Sequence, residues 1–479
     1  MSRTKGASLP AKDPCQIDFA NKRFPEAMKN SRRSFLKTSA VAATAVGFPT
    51  VIPSSVLGKD GAVAPSNRIT LATIGTGNQG IGEMRRFLWD KRCQYVAVCD
   101  VNKRSDGYWS NKPGGRDVAK DVCVNFYQGN KNRGNWKGIE AYADFRDVLA
   151  RKDIDAVHIA TPDHWHAIPV IEAAKAKKHI YGQKPLSLTV AEGRAMSDAV
   201  KKMGVTFQTG SQQRSDNRFR YAAELVRQGA IGKVKKTICY LPAGNKDYSG
   251  QGHRQAVEPV PEGFDYDMWL GPAPWAEYAP ARCHVNFRWI YDYSGGQITD
   301  WGGHHPDIAQ MALGTELTGP VAIKNARGVL PPRDALWNTA ESYHFEAHYA
   351  DGRVMVIQSS ATKNGIQFEG TEGSLWVSRH DMSASDKKLL DPKRTVNNWK
   401  DSVKIHFANF LDCIKSGKAT NAPCENAHRS ITISHLGNIA IQLGRDLAWD
   451  PKREQINDDF AANAMLDRPY RGPWKLPRV

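Results

Sequence analysis

Apolar runs alternate with stretches of helical spacing along residues 67–213, and this alternation predicts a doubly wound parallel sheet. The runs are short and rich in β-branched side chains, which is typical of buried strands. They cover residues 68–74, 95–99, 156–160, 179–182 and 205–209. The helical stretches cover residues 78–89, 144–150 and 168–177 and the segment opened by the capping box Thr189-Val-Ala-Glu192. Strands that are separated by single helices of this length pair in parallel.

The pattern is interrupted once and changes once. Residues 102–140 are polar and rich in Gly, Asn and Lys, and they predict a long surface insertion. After residue 214 a helix is followed by strand-like runs and by long loops dense in Pro, Trp and Gly, especially over 242–300. The predicted strands lie at 234–241, 343–349, 353–360 and 374–378, and the predicted helices at 216–228, 404–416 and 427–445. This half therefore predicts an α+β domain with a large, mostly antiparallel sheet over residues 214–479.

Composition excludes a disordered chain, a collagen-like repeat and a coiled coil. The chain has 479 residues, of which 24% are charged, and it carries 66 Lys and Arg against 49 Asp and Glu, a formal charge of +17. This is ordinary globular composition. The basic residues form no stripe interleaved with aromatics, so we expect no nucleic-acid partner. The eight cysteines form no C-x-x-C pair and no zinc spacing, and we expect no metal site.

The first 66 residues predict a leader rather than part of the fold. The string Ser31-Arg32-Arg33-Ser34-Phe35-Leu36-Lys37 precedes a weakly apolar stretch that Pro49 and Pro53 interrupt. Such a stretch is too short and too broken to span a bilayer. The string resembles a twin-arginine signal, which directs proteins that have already folded to the export machinery. We therefore expect the twin-arginine machinery as a partner and a periplasmic or otherwise exported protein.

A glycine-rich turn predicts a dinucleotide site. A G-x-G-x-x-G string follows the first strand and opens the first helix, which is the context that the motif requires. Its residues are Gly75, Gly77, Asn78, Gln79 and Gly80. Glycine permits the tight turn and the close approach of a pyrophosphate to the helix N-terminus. Asp100 ends the second strand, where a carboxylate accepts hydrogen bonds from ribose hydroxyls and repels a 2′-phosphate. Residues 67–213 are therefore predicted to form an NAD-binding Rossmann domain, with NADP disfavoured.

A second candidate segment lies at the C-terminal end of the strand predicted at 156–160. In open α/β sheets, ligands bind beyond the carboxyl ends of the strands. This places four more residues near the cofactor, namely Thr161, Pro162, His164 and His166. The alternative is a helix N-terminus that Asp163 caps, with aromatic side chains stacked at the surface.

Two further motifs carry a family resemblance. They are Tyr181-Gly-Gln183-Lys184-Pro185 at another strand end and Asp300-Trp-Gly302-Gly-His304-His-Pro-Asp307. With the glycine motif and T-P-x-x-x-H, they make residues 67–479 similar to the Gfo/Idh/MocA oxidoreductases. This is the family of glucose–fructose oxidoreductase and the inositol dehydrogenases. The chain departs from the family's usual E-K-P, because Gln183 replaces the glutamate.

The resemblance implies roles for individual residues. Lys184 is expected to contact the reacting hydroxyl and the nicotinamide ribose, His304 to be the acid/base, and Asp300 to bind substrate or orient the histidine. Gln183 and Gln212 join the cofactor site by position. Because Gln183 is uncharged, we expect Lys184 to lack a nearby counter-charge, which would lower its pKa. Histidine and lysine also suit the chemistry independently, since one exchanges a proton near neutrality and the other stabilises an alkoxide.

The remaining candidates concern the substrate. Polar and aromatic side chains near the motifs are suited to binding a sugar ring, together with Asp300 and His304. They are Arg214, Arg288 and Tyr291. A rival interpretation makes His304 and His305 a metal pair with Asp300 or Asp307. The histidines at 428 and 435 have apolar neighbours at helical spacing, which favours core or capping roles.

The sequence thus predicts an exported NAD-dependent oxidoreductase. It would transfer a hydride between the nicotinamide and a secondary hydroxyl or ketone of a sugar, sugar acid or cyclitol. One alternative is a glycoside hydrolase that uses NAD transiently, oxidising the sugar, eliminating the glycosidic bond and restoring the alcohol. Another is a sensor of sugar or cofactor without catalysis. We also expect a homo-oligomer, a dimer or tetramer formed through the C-terminal sheet.

Overall fold

A computed structural model of the chain describes residues 67–108, 112–130, 138–245, 256–332, 334–396 and 399–479. The leader predicted over residues 1–66 lies outside the described residues. In the part that is described, no helix has the length and apolar character needed to cross a membrane.

The first half forms a six-stranded parallel sheet with helices on both faces. The strands are β1 Ile69–Ile74, β2 Cys93–Cys99, β3 Glu140–Tyr142, β4 Ala156–Ile159, β5 His179–Gly182 and β6 Phe207–Thr209. The helices are α1 Asn78–Trp89, α2 Arg116–Gly129, α3 Phe145–Ala150, α4 Ala167–Lys175 and α5 Val190–Met203. The spatial order is β3-β2-β1-β4-β5-β6, and every pairing is parallel. The doubly wound Rossmann sheet is therefore confirmed, and its strands are almost continuously apolar because both faces are covered.

The prediction of a surface insertion over 102–140 is wrong for residues 116–129. Helix α2 lies there and buries one stripe, Ala119, Cys123 and Tyr127, against the sheet. These positions are four residues apart, so the helical spacing was present but was masked by the polar composition around it. Strand β3 follows at the edge of the sheet and is only three residues long.

The second half is built on a nine-stranded sheet that is antiparallel except at one pairing, as predicted. Its order is β13-β12-β11-β7-β10-β9-β8-β14-β15, and only β7 and β10 run in parallel. The strands are β7 Val234–Leu241, β8 Ala322–Val329, β9 Ser342–His348, β10 Val354–Ser359, β11 Gly365–Gly370, β12 Ser374–Val377, β13 Met382–Ala384, β14 Leu447–Asp450 and β15 Gln455–Ile456. Along β9 buried and half-buried residues alternate, which is the pattern of a sheet with one covered face.

The helices of the second half pack partly on this sheet and partly on the first half of the chain. They are α6 Asn217–Arg227, α7 Tyr266–Leu270, α8 Gln297–Asp300, α9 His305–Leu313, α10 Pro392–Thr395, α11 Trp399–Ser416, α12 Cys424–Leu443 and α13 Phe460–Ala464. Helix α12 is buried almost all round, because it lies between the two sheets and packs on α5 as well as on β8 and β9. His428 and His435 on this helix are buried and hydrogen-bonded to Glu454 and to the Ser187 carbonyl, which confirms their structural role.

Residues that follow α13 return to the first half. The Trp474 ring meets the edge of Trp165 with 4.7 Å between centroids. The Tyr470 hydroxyl donates to Glu192 at 2.6 Å. The core around β4 and β5 is therefore completed by side chains from residues 424–476.

Candidate active site

A cavity of about 620 Å³ lies at the carboxyl ends of β1, β4 and β5, and loops of the second half close it. Most of the residues that the sequence singles out lie in its wall. These are Gly75, Gly77, Asn78, Gln79, Gly80, Asp100, Thr161, Pro162, Gln183, Lys184, Gln212, Arg288, Asp300 and His304. The topology brings them together because the strand ends of a parallel sheet share one edge.

The glycine turn is one that only glycine can form. Gly75 has φ +87°, and a Cβ there would lie 2.6 Å from the backbone of Ala160. A Cβ on Gly80 would lie 2.0 Å from the Gly75 carbonyl oxygen. Helix α1 is thereby pressed against the turn, with its N-terminus directed toward the cavity.

Polar atoms in the cavity wall fit a dinucleotide. The N-cap of α1 is Gly77, which has no side chain to satisfy the first N–H groups, so they remain available to an anion. Among the buried oxygen atoms of the wall that find no hydrogen-bond partner within the described residues are those of the Asn78, Thr161 and Gln297 side chains. Buried polar atoms in native proteins are usually satisfied. Hydroxyl and amide groups of a bound dinucleotide would satisfy these three.

Asp100 is held rigidly at the end of β2. Its carboxylate accepts from the backbone N–H of Thr76 at 2.6 Å and from that of Asn102 at 2.9 Å. Burial raises the pKa of this carboxyl group, although both hydrogen bonds oppose the effect. Oδ2 also accepts from the Thr76 hydroxyl at 3.1 Å, but Oδ1 keeps a second lone pair with which Asp100 can accept a hydrogen bond from a ribose hydroxyl.

The sequence did not single out Tyr108, which covers the glycine turn. A Cβ on Gly77 would lie 3.0 Å from its ring, and the ring packs on His284 with 4.3 Å between centroids. Tyr108 lies in the polar segment between β2 and α2, where no periodicity marks an aromatic residue as functional.

Lys184 is paired with Asp300, so the expectation that it lacks a counter-charge is wrong. Its Nζ donates to Asp300 Oδ1 at 2.6 Å. Burial alone would raise the pKa of Asp300, but the charges of Lys184 and Arg288 outweigh burial and lower it. A carboxylate from a different part of the chain, that of Asp300, thus supplies the counter-charge that Gln183 does not.

A second carboxylate, that of Glu83 on α1, organises the two glutamines. Glu83 is almost fully buried and accepts from the side-chain amides of Gln183 at 2.6 Å and of Gln212 at 2.9 Å. It also accepts from Gln79 at 2.9 Å and lies 2.9 Å from Nε2 of the fully buried His158. The residue that replaces the family's glutamate therefore hydrogen-bonds to another glutamate.

His304 is buried at the N-terminus of α9 and is neutral. Burial lowers its pKa well below the usual value, and the positive charges of Arg379 and Lys184 act in the same direction. Its Nδ1 is buried without a hydrogen-bond partner. A neutral imidazole in this position is able to accept a proton.

Four of the predicted residues do not line the cavity. His164 and His166 are buried and bind carbonyl oxygens, those of Trp269 for the first and of Thr161 and Pro185 for the second. Arg214 is fully occupied by Asp307 at 2.6 Å and Glu316 at 2.7 Å. Tyr291 lies under the guanidinium of Arg468, 4.0 Å from the ring centroid. Each of them positions a loop rather than facing the cavity.

The alternatives for the same segments also fail to form. Asp163 caps no helix, and it accepts instead from the Ser294 hydroxyl. Asp307 is engaged by Arg214, and His305 Nε2 lies 2.6 Å from the Asn364 side-chain oxygen, so neither joins His304. Within residues 67–479, apart from the short segments left undescribed, no three His, Cys, Asp or Glu side chains are grouped to hold a metal ion.

Comparisons with known proteins agree with this arrangement. Residues 69–211 match the Gfo/Idh/MocA oxidoreductase family, NAD-binding Rossmann fold, and residues 219–476 match its C-terminal α/β domain. Residues 29–49 match the twin-arginine translocation signal.

Two curated relatives and one solved structure represent the similarities. The scyllo-inositol 2-dehydrogenase (NAD(+)) of Bacillus subtilis is 27% identical over 353 residues, 70% of this chain and 90% of that one. A glycosyl hydrolase family 109 protein of Shewanella pealeana is 26% identical over 221 residues, 43% of this chain and 45% of that one. The fold matches levoglucosan dehydrogenase in complex with NADH and levoglucosan, with a TM-score of 0.56, 18% identity and coverage of 80% and 99%.

The family models together span both halves of the chain, and the first of them is defined by its NAD-binding Rossmann fold. The twin-arginine match indicates export by that pathway. The chain therefore belongs to the Gfo/Idh/MocA oxidoreductase family, as an exported NAD-binding oxidoreductase.

Proposed function

We propose that this protein is an NAD-dependent dehydrogenase that transfers a hydride between the nicotinamide and a secondary hydroxyl or ketone of a sugar, sugar acid or cyclitol. The observation that carries the proposal is the presence of a paired Lys184 and a neutral His304 in the same cavity as the glycine turn. Relatives named as inositol and levoglucosan dehydrogenases support the substrate class.

The residues divide the work of oxidising an alcohol. His304 accepts the hydroxyl proton, because it is neutral and has no competing partner at Nδ1. The Lys184 ammonium stabilises the negative charge that develops on the oxygen, and Asp300 fixes that ammonium in place. Gln183 and Gln212, held by Glu83, form the wall beside the lysine. When bound, the nicotinamide supplies the two-electron acceptor of the reaction.

The cofactor is assigned to the strand-end wall. The helix N-terminus at Gly77 would hold its pyrophosphate, and Asp100 would accept from the adenine ribose. The substrate end is formed by Arg288, Asp300 and His304. We also propose that residues 67–213 and 214–479 act as cofactor and substrate domains, and that copies associate through the half-exposed face of the nine-stranded sheet.

The glycoside hydrolase that uses NAD transiently is the second candidate function. The similarity to glycosyl hydrolase family 109 proteins favours it, although those matches cover less than half of this chain. The same lysine and histidine would serve both reactions, because both begin by oxidising an alcohol.

The test measures NADH formation and aglycone release on one preparation. We expect Lys184→Ala and His304→Ala each to lower kcat by about a hundredfold or more, the usual cost of removing a charge stabiliser or general base. NAD affinity, measured by fluorescence titration, should change little. Lys175→Ala, on the exposed end of α4, is the matched surface control.

Free sugars, cyclitols and chromogenic glycosides are then compared. NADH that accumulates in proportion to oxidised sugar supports the dehydrogenase. Aglycone release without net NADH would establish the hydrolase instead. Full activity of the Lys184→Ala variant on every substrate would refute both mechanisms.

A further inference from the structure

A guanidinium outside the predicted motifs lies at the substrate end of the cavity. Arg379 follows β12 and lines the cavity together with Asp300 and His304. Its guanidinium carbon is 4.7 Å from the ring centroid of Trp301 and 4.4 Å from that of Trp399. Two indole rings therefore fix the position of this side chain.

The charge of Arg379 is not neutralised by a carboxylate. Within the described residues no Asp or Glu oxygen lies within 4.0 Å of its nitrogens, and Asp300 and Asp216 act on it only from farther away. Its Nε is 3.1 Å from the Gln213 side-chain oxygen once that amide is oriented to satisfy its neighbours. Burial lowers the pKa of the guanidinium to about 10. Arg379 is half-buried, and a cation that is partly withdrawn from water without an ion pair is costly, which is why such groups usually have a partner.

The surroundings of Arg379 are already rich in positive charge. Asp300 is bound by Lys184 and lies 3.7 Å from the Arg288 guanidinium. The other acidic group near this end, Asp163, accepts from Ser294, and burial raises its pKa. Lys184 and Arg288 thus already engage Asp300, and Arg379 adds a further positive charge that has no carboxylate within 4.0 Å among the described residues, so this end of the cavity attracts an anion.

We propose that Arg379 is the anchor of a carboxylate subsite, and that the substrate is a sugar acid rather than a neutral sugar or cyclitol. This rests on the proposed function, because it adds a second contact to the substrate of the same reaction. A guanidinium presents a planar fork of donors that matches a carboxylate with two parallel hydrogen bonds. The two indole rings pack on Arg379, so a carboxylate would bind at the edge of the guanidinium plane.

The experiment compares matched acid and neutral pairs. The NAD-saturated protein is titrated with D-glucuronate and D-glucose, with D-galacturonate and D-galactose, and with D-gluconate and D-glucitol. Binding is followed by tryptophan fluorescence, since Trp301 and Trp399 contact Arg379. We expect one acid at least to bind about tenfold or more tightly than its neutral partner.

Substitutions assign that preference to Arg379. Arg379→Met keeps the apolar stem and should remove the preference, whereas Arg379→Lys should retain part of it. Arg445→Met, which removes an exposed arginine paired with Asp459 outside the cavity, is the control and should retain the full preference. NAD titration shows whether each variant is folded.

The outcomes separate this proposal from the proposed function. No acid preference in any pair, or a preference that Arg379→Met leaves intact, overturns the carboxylate subsite. Tighter binding of D-glucose 6-phosphate than of every acid overturns the assignment to a carboxylate. Turnover of a neutral sugar without acid preference would leave the dehydrogenase standing, whereas selective acid binding without NADH formation would leave only the subsite.

Discussion

Replacing Glu83 should separate its structural role from its role in the active site. In Glu83→Ala, the amides of Gln79, Gln183 and Gln212 lose their common acceptor, but all three line the cavity and can turn to water. His158 cannot, because it is fully buried. One buried donor left unsatisfied costs about 1–3 kcal/mol. With the lost packing of the side chain, the variant should be destabilised by about 2–4 kcal/mol.

Glu83→Gln is the matched variant and should cost less than about 1.5 kcal/mol, within the range of a hydrogen bond exchanged for another. The new carboxamide oxygen can accept from two of the three glutamines, and its amide can donate to His158 Nε2. The Gln183 amide, whose nitrogen lies 2.6 Å from Glu83 Oε2, then has to turn its oxygen toward the new amide. The proton of His158 then moves to Nδ1, which lies 3.2 Å from the Thr73 hydroxyl and can donate to it. This exchange needs no movement of the backbone.

Urea unfolding followed by tryptophan fluorescence measures the loss in free energy of unfolding for both variants. Because Gln183 precedes Lys184, kcat/KM of Glu83→Ala should also fall, by about tenfold or more, while Glu83→Gln retains most of it. Equal destabilisation by the two variants would contradict the account of the network. An unchanged stability of Glu83→Ala would show that the carboxylate orients nothing.

Two further predictions concern the cofactor and pH. Asp100→Ser should narrow the preference for NAD(H) over NADP(H), because it removes the charge that repels a 2′-phosphate. Equal affinities of the unsubstituted protein for NAD(H) and NADP(H), measured by fluorescence titration, would contradict the role of Asp100. Burial lowers the pKa of His305 to about 3 and of His406 to about 4. Below about pH 6.5 these two histidines bind protons in the unfolded chain but not in the folded one. Their contribution to the free energy of unfolding is therefore fully present above that pH. Each histidine then lowers the free energy of unfolding by about 1.4 kcal/mol for every pH unit below it. A urea midpoint that does not change between pH 7.5 and 5.5 would contradict this.

The residues that the sequence identified correctly as part of the cavity wall have local signals. Gly75 and Gly80 follow a strand and open a helix, and Lys184 and Asp100 end strands, so topology alone places them at one edge of the sheet. The two sheets were predictable from the periodicity of apolar positions, which changes from one half of the chain to the other.

The residues that were missed owe their positions to contacts between distant parts of the chain. Arg379 follows a short strand, and nothing nearby marks it as part of a cavity. Tyr108 lies in a polar segment. Glu83 did have a signal, because it shares the buried face of α1 with Gly80, Met84 and Phe87. A carboxylate on the apolar face of an amphipathic helix indicates a buried partner, but the helix alone does not say that the partner is Gln183, a hundred residues later.

The return of the chain to its first half has a consequence for biosynthesis. Residues 424–476 complete the core around β4 and β5, with Trp474 against Trp165. The ribosome therefore makes the Rossmann strands long before it makes the side chains that finish their packing. Nascent domains generally fold in order from the N-terminus, but here the first domain reaches its final packing only when translation has passed residue 476. Since the twin-arginine pathway carries folded proteins, translation past residue 476 and the completion of this core precede export.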